Sequence, residues 1–217
     1  MRVLPLKQSG TIYTSNVYLI LGDWNRLEDI SGLIDVGRDP AIILDLENTN
    51  TGVGKRKLDR VVLTHSHYDH TELLPVIRER FRPQVCALTG TTAAVDCILQ
   101  DGDEVRLGDQ LFKVIAVPGH TADSLALYHR RSGSLFCGDA TLLIASAGGS
   151  YEEGFVQALE QLCQLDIQII YPGHGGPVKE HCNARLRASL DLVLADTKIH
   201  TRSDSNYEMV RQFENRR

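Results

Sequence analysis

The sequence predicts a mixed α/β fold, and three observations carry that prediction. Short apolar runs rich in β-branched residues recur along the chain, stretches with helical periodicity lie between them, and turn-forming residues punctuate the joins. Strands are expected at Val17 to Leu21, Leu33 to Ile34, Val61 to Leu63, Val85 to Leu88, Val114 to Val117, Leu125 to Tyr128, Leu135 to Cys137 and Ile167 to Tyr171. Helices are expected from Glu72 to Arg80, from Thr92 to Leu99, from Glu152 to Leu165 and from Asn183 to Ala195. Within the third of these, Phe155, Leu159 and Leu162 fall on one face. Asp101-Gly102-Asp103 and Arg131 to Ser134 are turns, which makes residues 104–138 a run of consecutive hairpins.

The chain has 217 residues, 42% of them hydrophobic and 24% charged, enough to bury one sizeable core. No repeat, low-complexity tract or Pro/Ser-rich linker divides it, so residues 1–217 read as a single domain, with 181–217 supplying a helix and a polar tail. A net charge of −5 gives no general attraction for phosphate backbones or anionic membranes, and nucleic acid and membranes are not expected partners. Uncharged runs such as Pro83 to Val95, 13 residues, fall short of the roughly 20 apolar residues that span a bilayer. Met1 to Lys7 lacks a leader-like apolar stretch. The five cysteines (Cys86, Cys97, Cys137, Cys163 and Cys182) include no C-x-x-C pair and read as reduced thiols, so a cytoplasmic location is expected. Composition leaves the oligomeric state open, a homodimer being one option.

The chemistry concentrates in Thr64-His65-Ser66-His67-Tyr68-Asp69-His70. With 8 His in the chain, chance would produce His-x-His-x-Asp-His in roughly one sequence in a thousand of this composition, so the cluster calls for a physical explanation. His65 and His67 at i and i+2 leave an extended strand end on one side, where both imidazoles reach one cation. Asp69 and His70 follow from the next turn and suit a second, adjacent ion.

Three further donors share one context with His65. His65 follows the 61–63 strand, His120 follows Val114 to Val117 and Pro118-Gly119, Asp139 follows Leu135 to Cys137 and Gly138, and His174 follows Ile167 to Tyr171 and Pro172-Gly173. Ligands at the carboxyl ends of several strands converge on one sheet edge. Imidazoles with one or two carboxylates suit zinc, iron or manganese, and the lack of Cys among these donors argues against a purely structural zinc.

The pattern His-x-His-x-Asp-His followed by a separate His, an Asp and a final His resembles the metallo-β-lactamase superfamily. The likeness runs over about residues 12 to 180, and includes Asn16 to Ile20 and the Asp-x-Gly turn Asp35-Val36-Gly37. It implies a four-layer αβ/βα sandwich of two mixed sheets flanked by helices. It also implies that His65, His67 and His120 hold a first metal, that Asp69, His70 and His174 hold a second, and that Asp139 bridges them. Two divalent ions, zinc before iron or manganese, would then be the cofactors. Asp69 and Asp139 would be the carboxylates that orient water or move its proton, with Asp35, Thr64 and Thr121 bonded to ligating imidazoles from behind.

Gly138 to Leu143 and Gly148 to Gly154 look most like the glyoxalase II group of thioester hydrolases, with Tyr151 at that group's tyrosine position. The sequence departs from the group in having Gly149-Ser150 where a lysine is usual and Gly175 after the final histidine. The implied activity is hydrolysis of a small thioester, ester or lactone. The alternative is an oxidoreductase like the persulfide dioxygenases, which hold a single iron. Elsewhere, His129, His181 and His200 are expected at the surface, Tyr13 and Tyr151 as half-buried aromatics, and Lys55-Arg56-Lys57 as a solvated loop.

Overall fold

A computed structural model describes residues 1–88, 95–146 and 148–196 of the chain. In order, the elements are β1 (Arg2–Pro5), β2 (Tyr18–Leu21), β3 (Gly32–Ile34), α1 (Ala41–Asn48), β4 (Arg60–Val62), α2 (Tyr68–Thr71), α3 (Leu74–Phe81) and β5 (Gln84–Ala87). They continue with β6 (Cys97–Ile98), β7 (Glu104–Leu107), β8 (Gln110–Ala116), β9 (Leu125–His129), β10 (Ser134–Gly138), α4 (Glu153–Cys163) and β11 (Ile169–Pro172). A last helix, α5, occupies residues 182–196.

The strands form a six-stranded sheet, ordered β1-β2-β3-β4-β5-β6, and a five-stranded sheet, ordered β11-β10-β9-β8-β7. Both are mixed: β3 to β6 pair in parallel beside antiparallel β1 and β2, and β11 lies parallel to β10 beside an antiparallel meander.

Side-chain alternation explains why four layers form. A strand points successive residues to opposite faces, and these strands are apolar on both. Tyr18, Ile20, Ile34 and Val62 of the first sheet meet Phe112, Val114, Leu127 and Phe136 of the second in a central core. The alternate residues Leu19, Leu21, Leu33 and Val61 face outward and are covered by Ile42 and Leu46 of α1 and Ile77 of α3. On the opposite outer face, Ile115, Ala126 and Leu135 are covered by Phe155, Leu159 and Leu162 of α4 and Leu186 of α5. The expected sandwich of two mixed sheets between helices is the architecture found.

Several local expectations change. The helix expected from Thr92 to Leu99 is not there in its described part: Cys97 and Ile98 form β6, in register with Cys86 and Ala87. The main-chain groups exposed on the edge of β5 outweigh a short helical pattern in a segment rich in β-branched residues. Residues 89–94 lie outside the described ones, as do the polar tail and His200. The helix expected over 72–80 is α3, which begins two residues later at Leu74 with Pro75 in its first turn and ends at Phe81, and a short unanticipated helix, α2, precedes it over Tyr68–Thr71. Strand β1 and helix α1 were not anticipated. His129 is buried, not exposed, its ring held between Ser132 Oγ at 2.7 Å and Gln110 Oε1 at 3.2 Å. Lys55, Arg56 and Lys57 are not simply solvated: each donates to a backbone carbonyl. All five cysteines are free, and among the described residues no helix is long and apolar enough to cross a membrane.

Candidate metal centre

The carboxyl ends of β3, β4, β8, β10 and β11 open on one edge of the sandwich, and backbone hydrogen bonds join the two sheets there. Leu125 N donates to Thr64 O at 2.8 Å, and Asn16 N donates to Gly173 O at 2.6 Å. The side chain of Asn16 donates to the carbonyls of Pro172 and Gly175, clamping the loop that carries His174. Tyr18 Oη adds a bond to Pro172 O at 2.8 Å, and burial raises its pKa.

At the end of β3, Asp35 adopts φ +60°, a left-handed conformation uncommon outside glycine. That turn aims its buried carboxylate at the β4 loop. Oδ1 accepts from Thr64 N at 2.8 Å, and Oδ2 accepts from Thr64 Oγ1 at 2.8 Å while facing His70 Nδ1 at 2.8 Å. Since the Thr64 hydroxyl proton goes to Asp35, His65 Nδ1, 3.1 Å from Thr64 Oγ1, is the donor in that contact. Both rings therefore have Nδ1 engaged from behind and Nε2 aimed inward, the arrangement that fixes a ligating imidazole's tautomer and orientation.

Seven side chains converge in front of this layer. Donor atoms of His65, His67 and His120 lie within 4.8 Å of one another, and so do those of Asp69, His70, Asp139 and His174. In the first group His67 Nδ1 and His120 Nε2 are 2.9 Å apart, and the His65 ring meets both at centroid distances of 4.7 and 4.9 Å. In the second, His174 Nε2 is 3.0 Å from Asp69 Oδ2, and His70 Nε2 is 3.2 Å from Asp139 Oδ1 without the alignment of a hydrogen bond. The carboxylate of Asp139 reaches both groups, with Oδ2 3.4 Å from His174 Nε2 and 3.7 Å from His120 Nε2. Two glycines make the approach feasible. A Cβ on Gly173 would overlap Asp139 Oδ1 and the His70 ring, and one on Gly138, at φ +51°, would overlap the Thr64 hydroxyl.

The donor set fits metal ions on an independent observation. His65 Nε2, His70 Nε2 and Asp139 Oδ1 are buried and have no hydrogen-bond partner. Each such atom costs about 1–3 kcal/mol, so three facing one space indicate a group that satisfies them together. The electrostatics agree. Burial and the neighbouring His70 lower His65 to about 4, keeping it neutral. Burial would also lower His70, but the carboxylates of Asp35 and Asp139 raise it to about 10, which marks a strong local demand for positive charge. Burial pushes the Asp139 carboxyl up, yet contact with His70 and the charge of His174 bring it to about 2.

Other sequence candidates divide. Asp35 and Thr64 stand behind the imidazoles as expected, whereas the Thr121 hydroxyl bonds to Ser124 Oγ at 2.7 Å and has no bond to an imidazole among the described contacts. Tyr13, expected half-buried, is 63% exposed and stacks on His174 at 5.0 Å with an interplanar angle of 16°. Tyr151 is half-buried just before α4, as expected. The clamp formed by Asn16 had no sequence signal beyond its place before β2.

Comparison with known proteins agrees with this geometry. The profile of the metallo-β-lactamase superfamily matches residues 10–95 and 87–174. A hydroxyacylglutathione hydrolase from Chromohalobacter salexigens is 33% identical over 160 residues, 70% of this chain and 60% of the relative. The chain spans 60% to 64% of the length of the first curated relatives it matches. Among solved structures, ETHE1 from Myxococcus xanthus superposes with a TM-score of 0.66 at 25% identity, covering 89% of this chain and 88% of that one. Rubredoxin oxygen:oxidoreductase from Desulfovibrio gigas, at 15% identity, shares the fold with a TM-score of 0.63 over 82% of this chain and 53% of its own. With a sandwich of two mixed sheets, a His/Asp cluster at its edge and a profile match over most of its length, the chain belongs to the metallo-β-lactamase superfamily.

Proposed function

We propose that the chain is a metal-dependent hydrolase that cleaves a small thioester, ester or lactone, in the manner of the glyoxalase II group. The observation that carries this reading is the convergence of seven His and Asp donors into two adjoining groups with three unpartnered buried atoms between them. His65, His67 and His120 would hold one divalent ion, Asp69, His70 and His174 a second, and Asp139 both, zinc being the ion that best suits imidazole with carboxylate. Ions bound there supply an acidified water and polarisation of a carbonyl.

The chain's own residues do the rest. Asp35 and Thr64 hold His65 and His70 in one orientation. Asp69 and Asp139 would be the carboxylates that orient a water or move its proton. Tyr13, stacked on His174 and exposed, presents its hydroxyl 3.4 Å from His174 Nε2, within reach of an entering substrate. The relatives named hydroxyacylglutathione hydrolase support a thioester as the substrate class. Five free thiols suit a reducing, cytoplasmic setting, and a small molecule is the expected partner.

A second reading, an iron-dependent oxidoreductase, draws on the same donors, which suit iron as well as zinc, and on a shared fold with an oxygen oxidoreductase. One experiment separates the two: metal analysis of the purified chain together with turnover assays on thioesters, lactones, phosphodiesters and a persulfide with oxygen. Two zincs per chain with thioester or lactone cleavage is the expected result. One iron with oxygen consumption would overturn the hydrolase.

A further inference from the structure

A cavity of about 420 Å³ opens beside His120, walled also by Gly119, Thr141, Tyr151, Glu152 and Phe155. Its far wall is firmly built. Tyr151 and Phe155 stack with centroids 5.8 Å apart and planes 20° from parallel, and Phe155 is rooted in the outer core. The backbone leading into Tyr151 is held from α5, where the buried Asp196 Oδ2 accepts from Gly148 N at 2.7 Å and Gly149 N at 3.2 Å. The Tyr151 hydroxyl lies against Gly149, where any Cβ would collide with it.

The one carboxylate among the described residues of this wall is Glu152, an exposed residue that sits at the N-cap of α4 without making a capping bond. No lysine or arginine among the described residues lines the cavity. A helix N-terminus ordinarily attracts anions, but here Glu152 and Glu153 place two carboxylates on it, and Phe155 N and Val156 N already donate to Glu152 O. Aromatic faces beside a carboxylate, with no competing cation, form the recognition chemistry of an ammonium group. An anionic arm would meet repulsion from Glu152 at the outer end.

We infer that this cavity selects substrates whose arm beyond the reacting carbonyl ends in an ammonium group, with Glu152 as the specificity-determining residue and Tyr151 and Phe155 as its aromatic platform. The inference rests on the hydrolase reading for where the carbonyl sits.

The test uses three thioesters of similar size on the metal-loaded full chain: acetylthiocholine, its uncharged 3,3-dimethylbutyl isostere and S-acetyl-3-mercaptopropionate. The cationic ester should show a KM about tenfold below the neutral isostere, the scale of a desolvated cation–π contact with a nearby carboxylate, and the anionic ester the highest KM. Glu152→Gln should bring the cationic-to-neutral ratio close to one, and Glu152→Lys should invert the order. Equal KM values, a preference for the anion, or a ratio unmoved by either variant would overturn the inference and leave the hydrolase standing. If no thioester is cleaved, calorimetric titration with the S-methyl ether of thiocholine and with 3-(methylthio)propanoate decides it separately. Tighter binding of the cation, lost in Glu152→Gln, supports the cavity assignment, and absent or reversed binding overturns it.

Discussion

The buried and the exposed halves of the donor cluster differ in how the protein holds them. His65, Asp69 and His70 are buried, and Asp35, Thr64 and backbone hydrogen bonds stand behind them. His67 and His120 are exposed, and the nearest polar partner of each is the other. The buried half is part of the folded framework, and the exposed half is attached to it. An orphaned or mispaired group therefore costs stability in the buried half and costs only chemistry in the exposed half.

That contrast can be broken most forcefully at the carboxylate the halves share. Asp139→Ala should cut turnover by more than about 100-fold, beyond what removal of an outer-layer partner costs, and lower metal content, as read by steady-state kinetics and elemental analysis. Next come paired changes that separate stability from chemistry. Asp35→Ala strips a buried partner from His70 and should cost about 3 kcal/mol, roughly 10 °C in Tm, in a thermal melt. His67→Ala should abolish activity while moving the Tm of the metal-free protein by no more than about 2 °C, since an exposed side chain contributes within about 0.5 kcal/mol. A Tm loss equal to that of Asp35→Ala would erase the distinction. Chelation comes third: protein stripped of metal should melt about 8 °C lower than protein loaded at a hundredfold excess over Kd, a shift recovered on adding zinc. The smallest effect is expected at Asp196→Ala, which frees the amides of Gly148 and Gly149. KM should rise severalfold with kcat nearly constant and Asp196→Glu should restore part of it, whereas a uniform loss of kcat would mean a merely structural role.

Much of this was legible in the chain itself, for identifiable reasons. His65, His67, Asp69 and His70 are crowded into one segment, and His120, Asp139 and His174 each follow an apolar run and a glycine, so strand periodicity alone placed them on a common edge. Strand and helix periodicity reached only a mixed α/β fold, and the layered architecture came from the resemblance that the donor pattern carries. What stayed hidden depends on pairing between distant segments. β1 reads as an unremarkable terminus with a proline, and is a strand because β2 offers it an edge, with Arg2 opposite Leu21. β6 exists because β5 has an unpaired edge. His129 looked solvated beside two arginines, yet β9 is the middle strand of its sheet and buries its ring against Phe112. Thr121 has the right type and place for an outer-layer partner, but a local hydroxyl pair with Ser124 claims it. Tyr13 and Asn16 gained their roles only when the β1–β2 loop met the loop after β11.

The Asn16 clamp on Gly175 spans 159 residues of sequence, and it bears on the order in which the centre is completed. As the chain is synthesised, the first trio of donors is complete once residue 120 has emerged, whereas the second group waits for His174. Contacts of such long sequence separation are among the slowest to form, because loop closure precedes any return from the contact. A growing chain thus carries all three histidines of the first trio while the second group still lacks its last member, and the complete donor set belongs to the finished chain alone.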